Sequence, residues 1–165
     1  MKMASKRFET AQTYINAFAT LSLPTFTSVL ADDLTHTFAP SSMATAFRHS
    51  TLNSRAAFLA HIQSLQVAMH GFPVYPKAWV EDPGQNAVWC WADSRTMWKD
   101  EAMDGGKEEW VYEGEYVFML YFDESGEKIV KVVEMLDSWG SKEKMFALWD
   151  RAKANLKARN GRDRG

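Results

Sequence analysis

Asp137 is the residue whose position best suits proton transfer. It follows Val132, Val133, Glu134, Met135 and Leu136 at the end of an apolar run. A carboxylate held among apolar side chains has its pKa raised towards neutrality, where it can accept and return a proton. A period of two puts Asp137 on one face with Met135 and Val133, and Glu134 on the other with Val132 and Leu136, unless a bulge intervenes. Alternatively, Asp137 is a strand-end aspartate that caps the turn before Gly140. His36 shares a strand face with Leu34 and Phe38. Histidine is a common acid–base residue, though a strand histidine can equally be a core residue bonded to backbone. Asp93 falls on the face of Trp89, Trp91 and Arg95, where an Asp–Arg pair would be structural. Glu115 falls on the face of Val111, Val117 and Met119, a costly place for a charge without a partner. His70, just before Gly71, suits the C-terminal end of a helix, where the backbone dipole favours a cation.

Other chemistries lack their residues. The chain has no Gly-rich phosphate loop, no CxxC, no HExxH and no Gly-x-Ser-x-Gly elbow. Its four histidines, His36, His49, His61 and His70, lack the spacing of a zinc site. Neither a metal nor an organic cofactor is expected. Aromatic residues reach 13%, with 7 Trp, 5 Tyr and 10 Phe. Each buried Trp needs a partner for its ring N–H, so this count suits a wide, aromatic-lined cavity better than a plain core. Tyr14, Trp91, Trp98, Tyr116, Phe118, Met135 and His70 are the expected binding residues. Period two cannot turn all the strand aromatics inward, and those left outside would cover an outer sheet face able to pair with another copy.

The elements that must carry these residues follow from periodicity. Phe8, Ala11, Tyr14, Phe18 and Leu21 predict a helix over Ala4 to Leu21, and Pro24 ends it or opens a short second one. Leu34 to Ala39 reads as a strand stopped by Pro40, followed by a polar loop through Ser50. Ser54 caps a third helix that Gly71 and Pro73 terminate. Strands are expected over Val74 to Val80, Ala87 to Trp98, Trp110 to Phe122 and Lys128 to Ser138, with an exposed hairpin loop at Lys99 to Glu109. A last helix starts at Ser141. Consecutive strands joined by tight turns pair antiparallel, and the helices must cover one face. The expected class is therefore α+β, a curved antiparallel sheet wrapped around N-terminal helices as a cone with a central hydrophobic pocket. Residues 1–160 form one domain and 161–165 a basic disordered tail.

Charge narrows the partners. A net charge of -2 draws the chain neither to nucleic acid nor to anionic membranes. Six basic residues against one acid between Arg151 and Gly165 read as a solvated helix end. No run approaches ~20 apolar residues, so no membrane span is expected. With Cys90 alone no internal disulfide forms, which fits a reducing, cytoplasmic setting.

Three stretches carry a family resemblance. Tyr112-Glu113-Gly114-Glu115-Tyr116-Val117-Phe118, Gly126-Glu127-Lys128-Ile129-Val130 and Glu134-Met135-Leu136-Asp137-Ser138 resemble the SnoaL-like branch of the nuclear-transport-factor-two-like superfamily. The turn at Gly126 has one extra residue. Leu34 to Ser42 resembles the first strand of fungal members, with a His before a Pro-Ser loop. Ala31 to Thr35 is similar to the lead-in to the ketosteroid isomerase base, but Phe38 and Ala39 supply no carboxylate there, so that base is absent or replaced by His36. The full histidine and tyrosine set of the scytalone dehydratases is missing.

The resemblance implies a cofactor-free enzyme of secondary metabolism, working as a homodimer, with an acid and a base across an apolar cone. The expected activity is isomerisation or cyclisation of a polyketide- or terpenoid-derived carbonyl compound. Asp137 and His36 would be the proton-transfer pair, assisted by Asp93 or Glu115. The alternatives are a dehydratase on the same fold, a non-catalytic small-molecule carrier, and a protein-interaction module using the outer sheet face.

Overall fold

The computed structural model describes residues 4–43 and 51–162. The polar loop through Thr45, Arg48, His49 and Ser50 lies largely outside them, as does the tail beyond Arg162. Helix α1, Lys6–Ala17, starts where the Ser5 hydroxyl accepts the Phe8 N–H, and it buries Ala11, Tyr14 and Ile15. Helix α2, Leu23–Val29, is capped by Ser22 and buries Phe26 and Val29. Helix α3, Arg55–Gln66, is capped by Ser54 through the Ala57 N–H and buries Phe58 and Ile62. All three helices share one core cluster with the sheet.

The strands are β1 Leu30–Ala39, β2 Thr51–Leu52, β3 Met69–Gly71, β4 Val74–Asp82, β5 Ala87–Arg95, β6 Met97–Trp98, β7 Glu113–Phe122 and β8 Ile129–Leu136. Six of them form one curved sheet in the order β2-β1-β8-β7-β5-β4, while β3 and β6 make a separate ribbon. Each neighbouring pair is antiparallel except β1 with β8, which run parallel. The sheet is thus mixed, because the chain returns to β1 from its far end. Strand β1 starts earlier than the Leu34 expected, since Leu30 pairs with Ile129 before a register shift ahead of Thr35.

Alternation along the central strands sorts the side chains. Leu34, His36 and Phe38 of β1, Val132, Glu134 and Leu136 of β8, and Tyr116, Phe118 and Leu120 of β7 are buried on the concave face, under the helices. Trp91, Glu115 and Met135 point to the convex face.

The segment expected as an exposed hairpin loop is instead folded and docked. It makes two 3₁₀ turns, Asp100–Ala102 and Lys107–Trp110, with Ala102 and Trp110 buried, so β7 begins three residues after Trp110. What holds it is the C-terminal helix α4, Phe146–Arg162. Arg151 reaches Glu109 at 2.9 Å and Asp104 at 2.6 Å, with its guanidinium 4.9 Å from the Trp110 ring. Asn155 and Arg159 donate to the carbonyls of Ala102 and Met103. Two of the basic residues assigned to a solvated helix end are therefore tertiary contacts. Before α4, the chain makes one helical turn, Ser138–Gly140, and one π turn, Ser141–Met145. Among the described residues no helix is long and apolar enough to cross a membrane.

Candidate active site

A cavity opens between the concave face and the helices. It holds about 50 Å³ open to a water-sized sphere, room for a few waters. Its apolar wall comes from Phe18, Phe58, Ile62, Leu65, Met69, Phe72 and Met145, with His36, His61, Tyr116, Glu134 and Ser141 as its polar members.

Two of those polar groups meet. The Nε2 of His36 lies 3.0 Å from the Glu134 carboxylate, and both residues are buried. This is ion-pair distance without hydrogen-bond alignment, and His36 Nδ1 has no hydrogen-bond partner among the described residues either. The rings of Phe38 and Phe58 hold the imidazole edge-on at 4.7 and 5.1 Å. Strand register brings the pair together: Glu134 stands opposite Phe38 and His36 opposite Val132, so the two are diagonal neighbours on adjacent strands. His61, from α3, packs edge-on against Phe38. Burial lowers its pKa; the Glu134 charge opposes that shift and His36 adds to it. Its imidazole is thus neutral near pH 7 and can accept or donate a proton.

Three hydroxyls form a second polar group. Tyr112 OH is 3.5 Å from Tyr116 OH and 3.1 Å from Ser141 Oγ, and all three residues are buried. Burial, more than its neighbours Tyr112 and Glu134, pushes the Tyr116 pKa well up, so it stays a protonated donor. Gly114 makes room for the cluster: a Cβ there would stand 2.5 Å from Tyr112 OH.

The remaining expected site residues lie elsewhere. Asp137 ends β8 on the convex side, and its Oδ1 accepts the Gly140 N–H at 3.0 Å, as a capping aspartate does. Asp93 and Glu115 are bound to Lys77 at 2.6 and 3.2 Å, and Trp91 donates its ring N–H to Glu115 at 2.6 Å. Asp93, Glu115 and Asp137 do come together, but along an open groove of about 500 Å³ on the convex side. Trp91 and Met135 are exposed on that same side. Trp98 packs edge-on against Trp110 and at a tilt against Trp149 of α4. His70 is exposed on β3, and so does not sit at a helix end.

Tyr14 and Phe118 are core residues in edge contact with each other. Burial, and then the Glu134 charge, holds the Tyr14 pKa well up. Cys90 is an inert core thiol, its pKa pushed up to about 12 by burial. No group of three or more His, Cys, Asp or Glu able to hold a metal occurs among the described residues.

Glu134, His61 and Ser141 escaped the sequence reading as site residues. Strand β8 is apolar on both faces, so alternation separated Glu134 from Asp137 without saying which faced inward. The β7–β8 hairpin held the missing signal. Its register sets Glu134 opposite Phe118, and Phe118 shares a face with Tyr116 and Leu120, away from Glu113 and Glu115.

This arrangement of helices on a curved, mixed six-stranded sheet recurs in solved structures. An NTF2-like protein from Burkholderia pseudomallei K96243 superposes with a TM-score of 0.67 at 16% identity, over 86% of this chain and 98% of its own. The fold is NTF2-like. Two fungal proteins share it. PrhC from Penicillium brasilianum NBRC 6234 has a TM-score of 0.72 at 11% identity, over 93% of this chain and 95% of its own. The BvnE pinacolase from Penicillium brevicompactum has 0.71 at 19%, over 90% and 95%. No family model and no curated protein matches the sequence. At these identities the NTF2-like likeness speaks for the fold alone.

Proposed function

We propose that the protein is a cofactor-independent isomerase or cyclase acting on a small polyketide- or terpenoid-derived carbonyl compound, with Glu134 as the base. The pairing of Glu134 with His36 at 3.0 Å inside an otherwise apolar cavity carries this reading. The Glu134 carboxylate is buried and lines the cavity, within reach of a ligand there. Glu134 takes the proton next to the substrate carbonyl, His36 holds the carboxylate in place, and the neutral His61 exchanges a proton at a second position. Return of the proton to another carbon completes an isomerisation. A pinacolase among the proteins of like fold agrees with an enzymatic role.

Asp137, Asp93 and Glu115 take no part in this mechanism, because they border the convex groove. A dehydratase would use the same base, and a carrier would need no converging acid and base at all. The enzyme works in the cytoplasm, with a second copy covering the convex sheet face around Trp91 and Met135, which are exposed although large and apolar.

The test is hydrogen–deuterium exchange at the methyl group of acetophenone in D₂O, followed by proton NMR. Wild type should catalyse the exchange, and Glu134→Gln should slow it by about 10²–10⁴-fold, the usual worth of a general base. Equal rates in a folded Glu134→Gln protein would remove Glu134 from the chemistry.

A further inference from the structure

The cavity is smaller than any ring compound. It holds about 50 Å³, whereas even benzene takes a cavity of roughly 150 Å³. One wall must therefore yield before such a ligand can enter. His36, Tyr116 and Glu134 stand on strands hydrogen-bonded to a neighbour on each side. Phe18 and Phe58 are set in the shared core, where Phe26 packs edge-on against both rings. Phe72 is tied by its N–H to the Phe18 carbonyl at 2.8 Å. The remaining wall is Ser141 and Met145, carried by the two turns between β8 and α4.

Those turns have little packed outside them. Trp139 is 76% exposed, and Lys142, Glu143 and Lys144 are exposed as well. Asp137 holds their near end. Its N–H donates to the Glu115 carbonyl at 2.9 Å, which fixes it to β7. Its own carbonyl accepts the Ser141 N–H at 3.0 Å, and its Oδ1 accepts the Gly140 N–H at 3.0 Å. A Cβ at Gly140 would run into that carboxylate, so glycine is what lets the two meet. One further tie joins the Ser141 hydroxyl to Tyr112 OH at 3.1 Å. Beyond it the chain makes the π turn, an irregularity common where a helix serves a site.

We propose that residues 138–145 are a movable wall of the cavity, and that Asp137 is the positioning residue that clasps it shut. This rests on reading the cavity as the substrate site. A ring compound keeps the wall displaced, so the clasp opposes binding. Loosening it raises the fraction of protein open to ligand, and with it the association rate and the affinity in equal measure. Dissociation, which starts from the displaced wall, stays the same. The clasp needs an acceptor oxygen and no charge, and asparagine caps as well as aspartate does.

Acetophenone titration followed by amide NMR tests the wall, with line shapes giving the rates. In wild type the saturable shifts should centre on the amides of residues 138–145. Asp137→Ala should raise the association rate and the affinity severalfold with dissociation unchanged, whereas Asp137→Asn should behave as wild type. Tyr112→Phe, which removes the second tie, should act in the same direction as Asp137→Ala and carries the test if that variant does not fold. Damage to the fold would instead weaken binding. Four results would each overturn the proposal: no saturable binding, saturable binding with those amides unmoved, wild-type association rates in the folded Asp137→Ala or Tyr112→Phe protein, or an Asp137→Asn change as large as that of Asp137→Ala. Methyl exchange on the same ketone reads Glu134 separately. Faster association without exchange would retain the wall and reject the proposed reaction, and exchange with unaltered rates would do the reverse.

Discussion

His61 shows how one cavity residue ties stability to pH. The folded protein holds its pKa below the ordinary value, first through burial and then through His36, with Glu134 opposing. An unfolded chain takes up this proton near pH ~6.5, and the folded protein resists it until lower pH. The contribution is therefore complete above about pH 6.5 and is lost as the pH falls through the folded pKa, at no more than ~1.4 kcal/mol per pH unit for one proton. Urea unfolding between pH 7 and 5 should show the fall, and His61→Gln should flatten it. An unaltered slope in the variant would mean that other groups carry the dependence. At this scale alternation was legible: Glu134 and Asp137 were separated correctly. Which of them faced inward depended on a partner strand, because Val133 and Met135 are as apolar as Val132 and Leu136.

Helices were the elements read most closely, since a Ser cap followed by a three- and four-residue apolar period is a local signal. Ser54 caps as expected, and the structure adds Ser5 and Ser22 in the same role. The segment Lys99 to Glu109 was read as exposed because its composition is charged and Gly-containing. Its order comes from α4, more than 40 positions away in sequence, through Arg151. That side chain makes two ion pairs and one cation–π contact while itself about a third exposed. Each such contact is weakened by solvent, but the three act on one segment, so Arg151→Ala should lower the thermal unfolding midpoint. It should also open the segment to proteolysis near Gly105. A Tm equal to wild type, with the segment still protected, would mean that Trp110 and Ala102 hold it by burial alone.

For the whole molecule, the two sheet faces separate the two groups of ionisable residues. His36, His61 and Glu134 converge on the cavity of the concave side, whereas Asp93, Glu115 and Asp137 converge on the open convex groove. If a second copy covers the convex face, sedimentation should give a dimer, and Trp91→Glu combined with Met135→Glu should give a folded monomer. A wild-type monomer at all concentrations would exclude that arrangement. The sequence by itself determined the α+β class, the order of the main helices and long strands, the Ser54 cap and the alternation within the long strands, because each depends on neighbours within a few residues. Only the tertiary structure decided that β1 closes the sheet parallel to β8, that Glu134 rather than Asp137 meets His36, and that Tyr112 joins Tyr116 to Ser141. Those are contacts between segments distant in the chain, set by strand register and by which sheet face the helices cover, and a local period of two is the same on either face.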